Sequence, residues 1–304
     1  MAMKPRGAGG SRPVVAAWSW GFALAGLVVG SGGCASDPDS GDGKPEADVP
    51  ASGGGSGGPA PDLLAVEVLD ADVIVELSHQ ASLADPVYAA DSFRATFLPG
   101  PTWSRVGGVV EDGTCSDQFG LQMNTEGPAP VITGSDAVEL VRTAPTALST
   151  SIPLITIAPE LPYYSRRWQG EELLESPWAA AATFDLVAGD GPTPLVLEGV
   201  SQTPESGPLL RAPAPNASIS RALALTVEWE PGDAALVEIK VGSRWSCVVA
   251  DRGSFAVAAE QMGSVDAGDG FFRFTRVYAR RLERSGRVVH SMVLESLFVP
   301  VTFE

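Results

Sequence analysis

The chain has 304 residues, 37 acidic against 20 basic side chains and a formal charge of −17. That balance argues against a nucleic-acid partner, whose phosphates would be repelled, and it suits a soluble surface that does not stick. The two histidines and three cysteines leave little material for a zinc centre, and no HExxH, CxxC or P-loop is present.

Residues 1–33 open with Lys4, Arg6 and Arg12 and no acid, continue as an apolar run from Val14 to Gly30 broken only by Ser19, and end in Ser31-Gly32-Gly33. A positive start, an apolar middle and a small-residue exit make a secretory signal peptide. The run is shorter than the ~20 residues that span a bilayer, so an uncleaved anchor is the lesser reading, and a plain cut after Ala35 is another. The stretch from Val28 to Cys34 resembles a bacterial lipobox, with Ser31 standing where that pattern usually carries Leu. The resemblance implies acylation of Cys34, and Ala35 in place of Asp after it implies sorting to the outer membrane. Each buried CH₂ adds about 0.8 kcal/mol, so more than one acyl chain gives stable anchoring. Loss of a leader with three basic residues and no acid makes the mature chain more acidic still.

Residues 34–61 are Gly, Ser, Pro, Ala and acid, with Val49 the one larger apolar residue after Cys34. Such a segment cannot bury enough apolar surface to order itself. It reads as an acidic tether spanning roughly 30 Å on average. Its acids lack the spacing and closing Glu of a calcium loop.

From residue 62 on, the dominant period is two. Leu64, Val66 and Val68 alternate with Ala65 and Glu67, and a turn at Asp70-Ala71 leads into Asp72–Leu77. The middle is proline-rich, with expected strands at Ala137–Arg142, Ile152–Ala158, Thr183–Val187 and Leu195–Val200. Further on, Leu223, Leu225, Val227 and Trp229 share one face; Pro231-Gly232-Asp233 turns the chain; Val237, Ile239 and Val241 face in with Glu238 and Lys240 out. Trp245, Cys247 and Val249 then point inward, and Asp251-Arg252-Gly253 turns again before Phe255 and Val257. Short alternating strands with turns every 8–12 residues predict an all-β fold of Ig-like sandwich type, either two tandem sandwiches (62–206 and 207–304) or one large one. Gly270–Leu282 and Val288–Val299, joined through Ser285-Gly286, predict a long terminal hairpin. Helix is expected only as single turns at Gly170–Leu174 and Ala258–Met262.

The run from Leu223 to Val257, with a strand ending in Trp, a Pro-Gly turn, a Cys-bearing strand, an Asp-x-Gly turn and an aromatic strand, resembles a segment of predicted outer-membrane lipoproteins of the myxobacterial type. Trp168-Gln169-Gly170-Glu171 and residues 208–213 resemble the same family. The resemblance covers about 35 residues most clearly, and it implies location and fold rather than an activity.

Four features carry candidate chemistry. Cys115 and Cys247 remain after Cys34, and in an oxidising compartment an isolated pair tends to be bridged; two separately buried thiols are the alternative. Tyr163, Trp168 and Trp178 lie among Tyr164, Glu171, Glu172 and Glu175, and flat rings beside acids are what a carbohydrate contact needs. The plainer and preferred reading has both tryptophans plugging the core. Arg273, Arg276, Arg280 and Arg281 crowd the terminal hairpin with Arg284 and Arg287, and guanidinium forks can hold anions such as an acidic polysaccharide; charge that protects an exposed edge hairpin is preferred. His79 and His290 have no sequence neighbour that makes a catalytic group of either. No metal site and no cofactor is expected; Asp266 and Asp269 read as a turn.

The sequence therefore points to a lipid-anchored cell-envelope protein that binds or structures something without catalysis. An envelope carbohydrate-active hydrolase working through paired carboxylates is the runner-up, and a protein–protein interaction module of an envelope assembly the third reading.

Overall fold

Period-two alternation is written directly into strands because successive side chains leave opposite faces of an extended chain. Leu225, Val227 and Trp229 are buried while Thr226 and Glu228 between them are exposed. The computed structural model describes residues 71–83, 86–98, 111–117, 135–156, 162–189 and 192–304, and the backbone of 63–64, 67–69, 104–106 and 110.

In chain order the strands are β1 (Leu63–Leu64), β2 (Glu67–Leu69), β3 (Val73–Ser82), β4 (Ala90–Phe97), β5 (Ser104–Val106), β6 (Val110–Glu111), β7 (Thr114–Ser116), β8 (Ala137–Ala144), β9 (Leu148–Thr156) and β10 (Pro162–Gln169). They continue with β11 (Thr183–Ala188), β12 (Leu195–Gln202), β13 (Leu210–Ala212), β14 (Ala217–Ile219), β15 (Leu225–Trp229), β16 (Leu236–Val241), β17 (Trp245–Val249), β18 (Ser254–Val257), β19 (Gly268–Arg284) and β20 (Arg287–Phe303). The two expected single turns are a 3₁₀ turn at Gly170–Glu175 and the α-helix Ala259–Gly263, where the Gln261 side chain accepts from the Ala258 N–H at 2.8 Å. Among the described residues no helix is long and apolar enough to cross a membrane.

The protein is all-β. One 13-stranded sheet runs β12-β11-β8-β9-β10-β4-β3-β20-β19-β16-β17-β7, with β14 also paired to β20; β13-β15-β18 form a second, small sheet. Most neighbours are antiparallel, but β20 lies parallel to β3 and to β14. The long hairpin β19–β20 therefore sits in the middle of the sheet. Its Ser285-Gly286 tip has both φ values positive, at 50° and 72°, the geometry that a tight two-residue hairpin turn requires.

Two cores lie along this sheet. In the first, the sheet curls over itself: Val75, Leu77, Phe93 and Phe97 of β3 and β4 pack on Leu140, Phe184, Leu186 and Leu197 of β8, β11 and β12. In the second, Val227, Trp229 and Val257 of the small sheet pack on Ile239, Val249, Phe272, Phe274 and Val299. Each such buried side chain contributes about 1.5–3 kcal/mol relative to exposure. The hairpin serves both: Phe272, Phe274 and Leu297 belong to the second core, and Tyr278, Leu282, Val289 and Val293 to the first. The tandem units expected from the sequence are thus joined through shared strands.

The opposite face of the sheet is covered as well. Ala71, Ile74, Leu98, Leu236, Val248, Val277 and Met292 form a third buried cluster there. That is why Glu238, outward by alternation, is only 5% exposed and needs Arg273 at 3.6 Å and the Ser246 hydroxyl at 2.6 Å as partners.

Candidate functional site

The alternation that builds both cores is interrupted by an ionisable residue on each of four adjacent strands, at the same level. In the paired register Arg276 of β19 stands opposite Glu295 of β20, Glu295 beside His79 of β3, His79 opposite Asp91 of β4, and Asp91 opposite Trp168 of β10. Directly paired residues share a face, so the four ionisable side chains make one row across the sheet. The second core lies on one side of the row and the first core on the other.

Every member of the row is held. His79 Nδ1 lies 2.6 Å from Asp91 Oδ1, and the Ser176 hydroxyl donates to Asp91 Oδ2. The Trp178 ring stacks on His79, with centroids 4.8 Å apart and planes within 14°, and its backbone N–H donates to Ser176 Oγ at 3.1 Å. At the other end Arg276 Nε makes an ion contact of 3.1 Å with Asp251 Oδ2, and another nitrogen of the same guanidinium donates to the Glu230 carbonyl. Asp251 also accepts from Trp229 Nε1 at 2.6 Å and from the Gly232 N–H at 3.1 Å. Gly253 makes this anchorage fit: its φ is +95°, and a Cβ there would lie 3.3 Å from the Trp229 carbonyl and Pro231.

Glu295 is 3% exposed. Burial pushes its carboxyl up to about 7, against the opposing pull of His79, Arg276 and a hydrogen bond from Tyr278. The Tyr278 hydroxyl, 3.5 Å from Glu295 Oε2, is itself raised to about 12, first by burial and then by the Glu295 charge. A separate cluster on the opposite face contains Lys240, lowered by burial and by Arg273.

Beside the row a polar cleft of about 410 Å³ opens between the connector that follows β12 and the turn that follows β15. Arg276, Tyr278 and Arg280 line it from the hairpin; Gln202, Glu205, Glu230 and Asp233 line it from the two loops, with Leu209 at 58% exposure. Its volume falls in the range of small-molecule sites.

The structure separates the four arginines expected to hold an anion. Arg273 and Arg281 leave the opposite face from Arg276 and Arg280, Arg273 being paired with Glu238. Arg276 is buried and neutralised by Asp251. Arg280 alone of the four lines the cleft in exposed form, and its guanidinium donates to Gln202 Oε1 at 3.1 Å. Alternation thus divides the arginines between two faces, and Glu205, Glu230 and Asp233 line the cleft with Arg280. The tip of the hairpin instead reaches the edge of the sheet. Arg284 Nε donates to the Glu198 carbonyl at 2.6 Å and the Ser285 hydroxyl to the Val196 carbonyl at 2.7 Å, so side chains cap the open edge of β12. We expect Arg284→Ala to raise amide hydrogen exchange along β12 and leave exchange in β16 and β17 unchanged.

Trp168 and Trp178 both pack against the first core, as in the preferred reading. Trp168 is 0% exposed and fills the first core. Tyr163 is half-buried under Arg94, 4.1 Å from its ring centre, and Trp178 gives a face to His79. Glu171, Glu172 and Glu175 are exposed on the 3₁₀ turn, Glu175 near Arg166 at 3.7 Å, and do not converge on a cleft. Cys115 and Cys247 are joined at 2.04 Å, directly opposite one another in the β7–β17 register. His290 is buried on the other face of the sheet from His79, and Asp269 accepts from Thr302. The leader, Cys34 and the tether lie outside the described residues. No protein-family model and no curated protein matches the chain.

Proposed function

We propose that this chain is an exported, lipid-anchored protein of the cell envelope, and that its β body is a non-catalytic binding module whose ligand occupies the cleft between the connector after β12 and the hairpin. The leader and Cys34 support the anchor. The observation that carries the binding reading is the cleft's lining, in which the donors of Arg280 and Gln202 and the acceptors of Glu205, Glu230 and Asp233 share one cleft with Tyr278. Carboxylates, a guanidinium and one ring edge suit a hydroxyl-rich, carbohydrate-type ligand better than a polyanion, which three acids would repel. The alternative hydrolase reading draws on Glu295, a carboxyl held near neutrality behind Tyr278, which is where a general acid works best.

Two measurements test the proposal. Metabolic labelling with a fatty acid should mark the wild type and not Cys34→Ala; equal labelling of both overturns the anchor. Titration calorimetry of the disulfide-bonded body against neutral and uronate-bearing oligosaccharides should give binding that Arg280→Ala weakens at least tenfold. Absence of binding to every member, or binding indifferent to Arg280→Ala, overturns the cleft as the site. Release of reducing ends with a bell-shaped pH profile would favour the hydrolase.

A further inference from the structure

The row, together with the Asp251 turn against its end, holds more buried carboxylates than cations. Three carboxylates are buried together: Asp91 at 4% exposure, Glu295 at 3%, and the Asp251 side chain at 3%. They face one permanent cation, Arg276, and one imidazole, His79. Arg276 leans on Asp251 and His79 on Asp91, so Glu295, between them in the register, is the carboxylate without a cation of its own. An uncompensated buried carboxylate is costly, and such a group takes up a proton in preference to remaining charged.

We infer that Glu295 is a proton-operated latch between the two cores: it holds a proton in the folded chain at mildly acid pH, and releasing that proton as the pH rises through neutrality weakens the junction. The groups facing it from each packed element are Arg276 and Tyr278 of β19 and His79 of β3, with Asp91 of β4 behind His79, and Asp251 and the exposed Asp233 of the neighbouring turns acting through Tyr278. The latch has a route to the surface. Tyr278 lines the cleft and donates to Glu295; a protonated Glu295 becomes a donor itself, which frees the phenolic hydrogen to point into the cleft. The inference does not depend on what the cleft binds.

The direction follows from linkage. A carboxyl near 7 in the folded chain and at its ordinary 4.5 when unfolded is protonated in both states below 4.5 and carries no penalty there. Between 4.5 and 7 the folded chain binds the extra proton, so stability falls as pH rises; above 7 the penalty is complete and constant. Denaturant unfolding of the disulfide-bonded chain at pH 4.5–8, wild type beside Glu295→Gln, tests this. The ratio of the wild-type to the variant folding constant should fall by up to about tenfold per pH unit across that window, by a few hundredfold at most, and then level off. A ratio independent of pH overturns the latch. Carboxyl ¹³C spectra of the folded wild type give a second readout: one glutamate resonance should titrate near neutrality and be missing from Glu295→Gln. Glutamate resonances that all finish titrating below pH 5.5, or a near-neutral one that survives the substitution, overturn it as well.

Discussion

Removing the Cys115–Cys247 bridge, as Cys115→Ser with Cys247→Ser or by reduction, is expected to destabilise the body by about 5 kcal/mol, read as a drop in the urea midpoint. The cysteines are 132 residues apart, and the entropy lost on cross-linking an unfolded chain grows with loop length, reaching about 5 kcal/mol for a loop of this size. The loop begins on β7 at one end of the sheet and passes through β8 to β12 of the first core before returning on β17. Without the bridge, β7 is held by a three-residue ladder at the sheet's edge, so its amides should lose protection first. A shift of less than about 1 kcal/mol would mean that the reduced unfolded chain retains most of the constraint.

Arg276→Met should cost about 3–5 kcal/mol, because it leaves the Asp251 carboxylate buried without its cation. Asp251 also fixes Trp229 Nε1 and the Gly232 N–H, so the second core and the turn beside the cleft should loosen together, visible as a change in tryptophan fluorescence. Arg280→Met, four residues along the same strand face, should leave the urea midpoint nearly unchanged, since Arg280 is exposed and bonded to a single amide. The contrast separates the arginine that holds the fold from the one available to a ligand. Equal effects of the two substitutions would show that the Arg276–Asp251 pair is not the element joining hairpin and turn.

Local chemistry made much of the fold legible. Alternation in Leu225–Trp229, Leu236–Val241 and the two arms of the hairpin gave strands in place, and Ser285-Gly286 gave the tight turn between Arg284 and Arg287. The site was not legible, because its members come from strands that meet only in the folded chain. His79 and Glu295 are neighbours through the parallel pairing of β3 with β20, more than 200 residues apart in sequence, and nothing within either strand signals that register. The aromatic loop follows the reading that the sequence favoured: β10 is central in the sheet and buries Trp168 in the first core.

The sequence by itself determined an all-β body, because strand formation depends on a period of two within a few residues. Only the tertiary structure decided which polar residues are buried beside one another. An ionisable residue on one strand is unremarkable in sequence; set at the same height on four adjacent strands, Arg276, Glu295, His79 and Asp91 become one row beside a cleft. Charge balance in a low-dielectric place depends on those neighbours, and it is sheet register that supplies them.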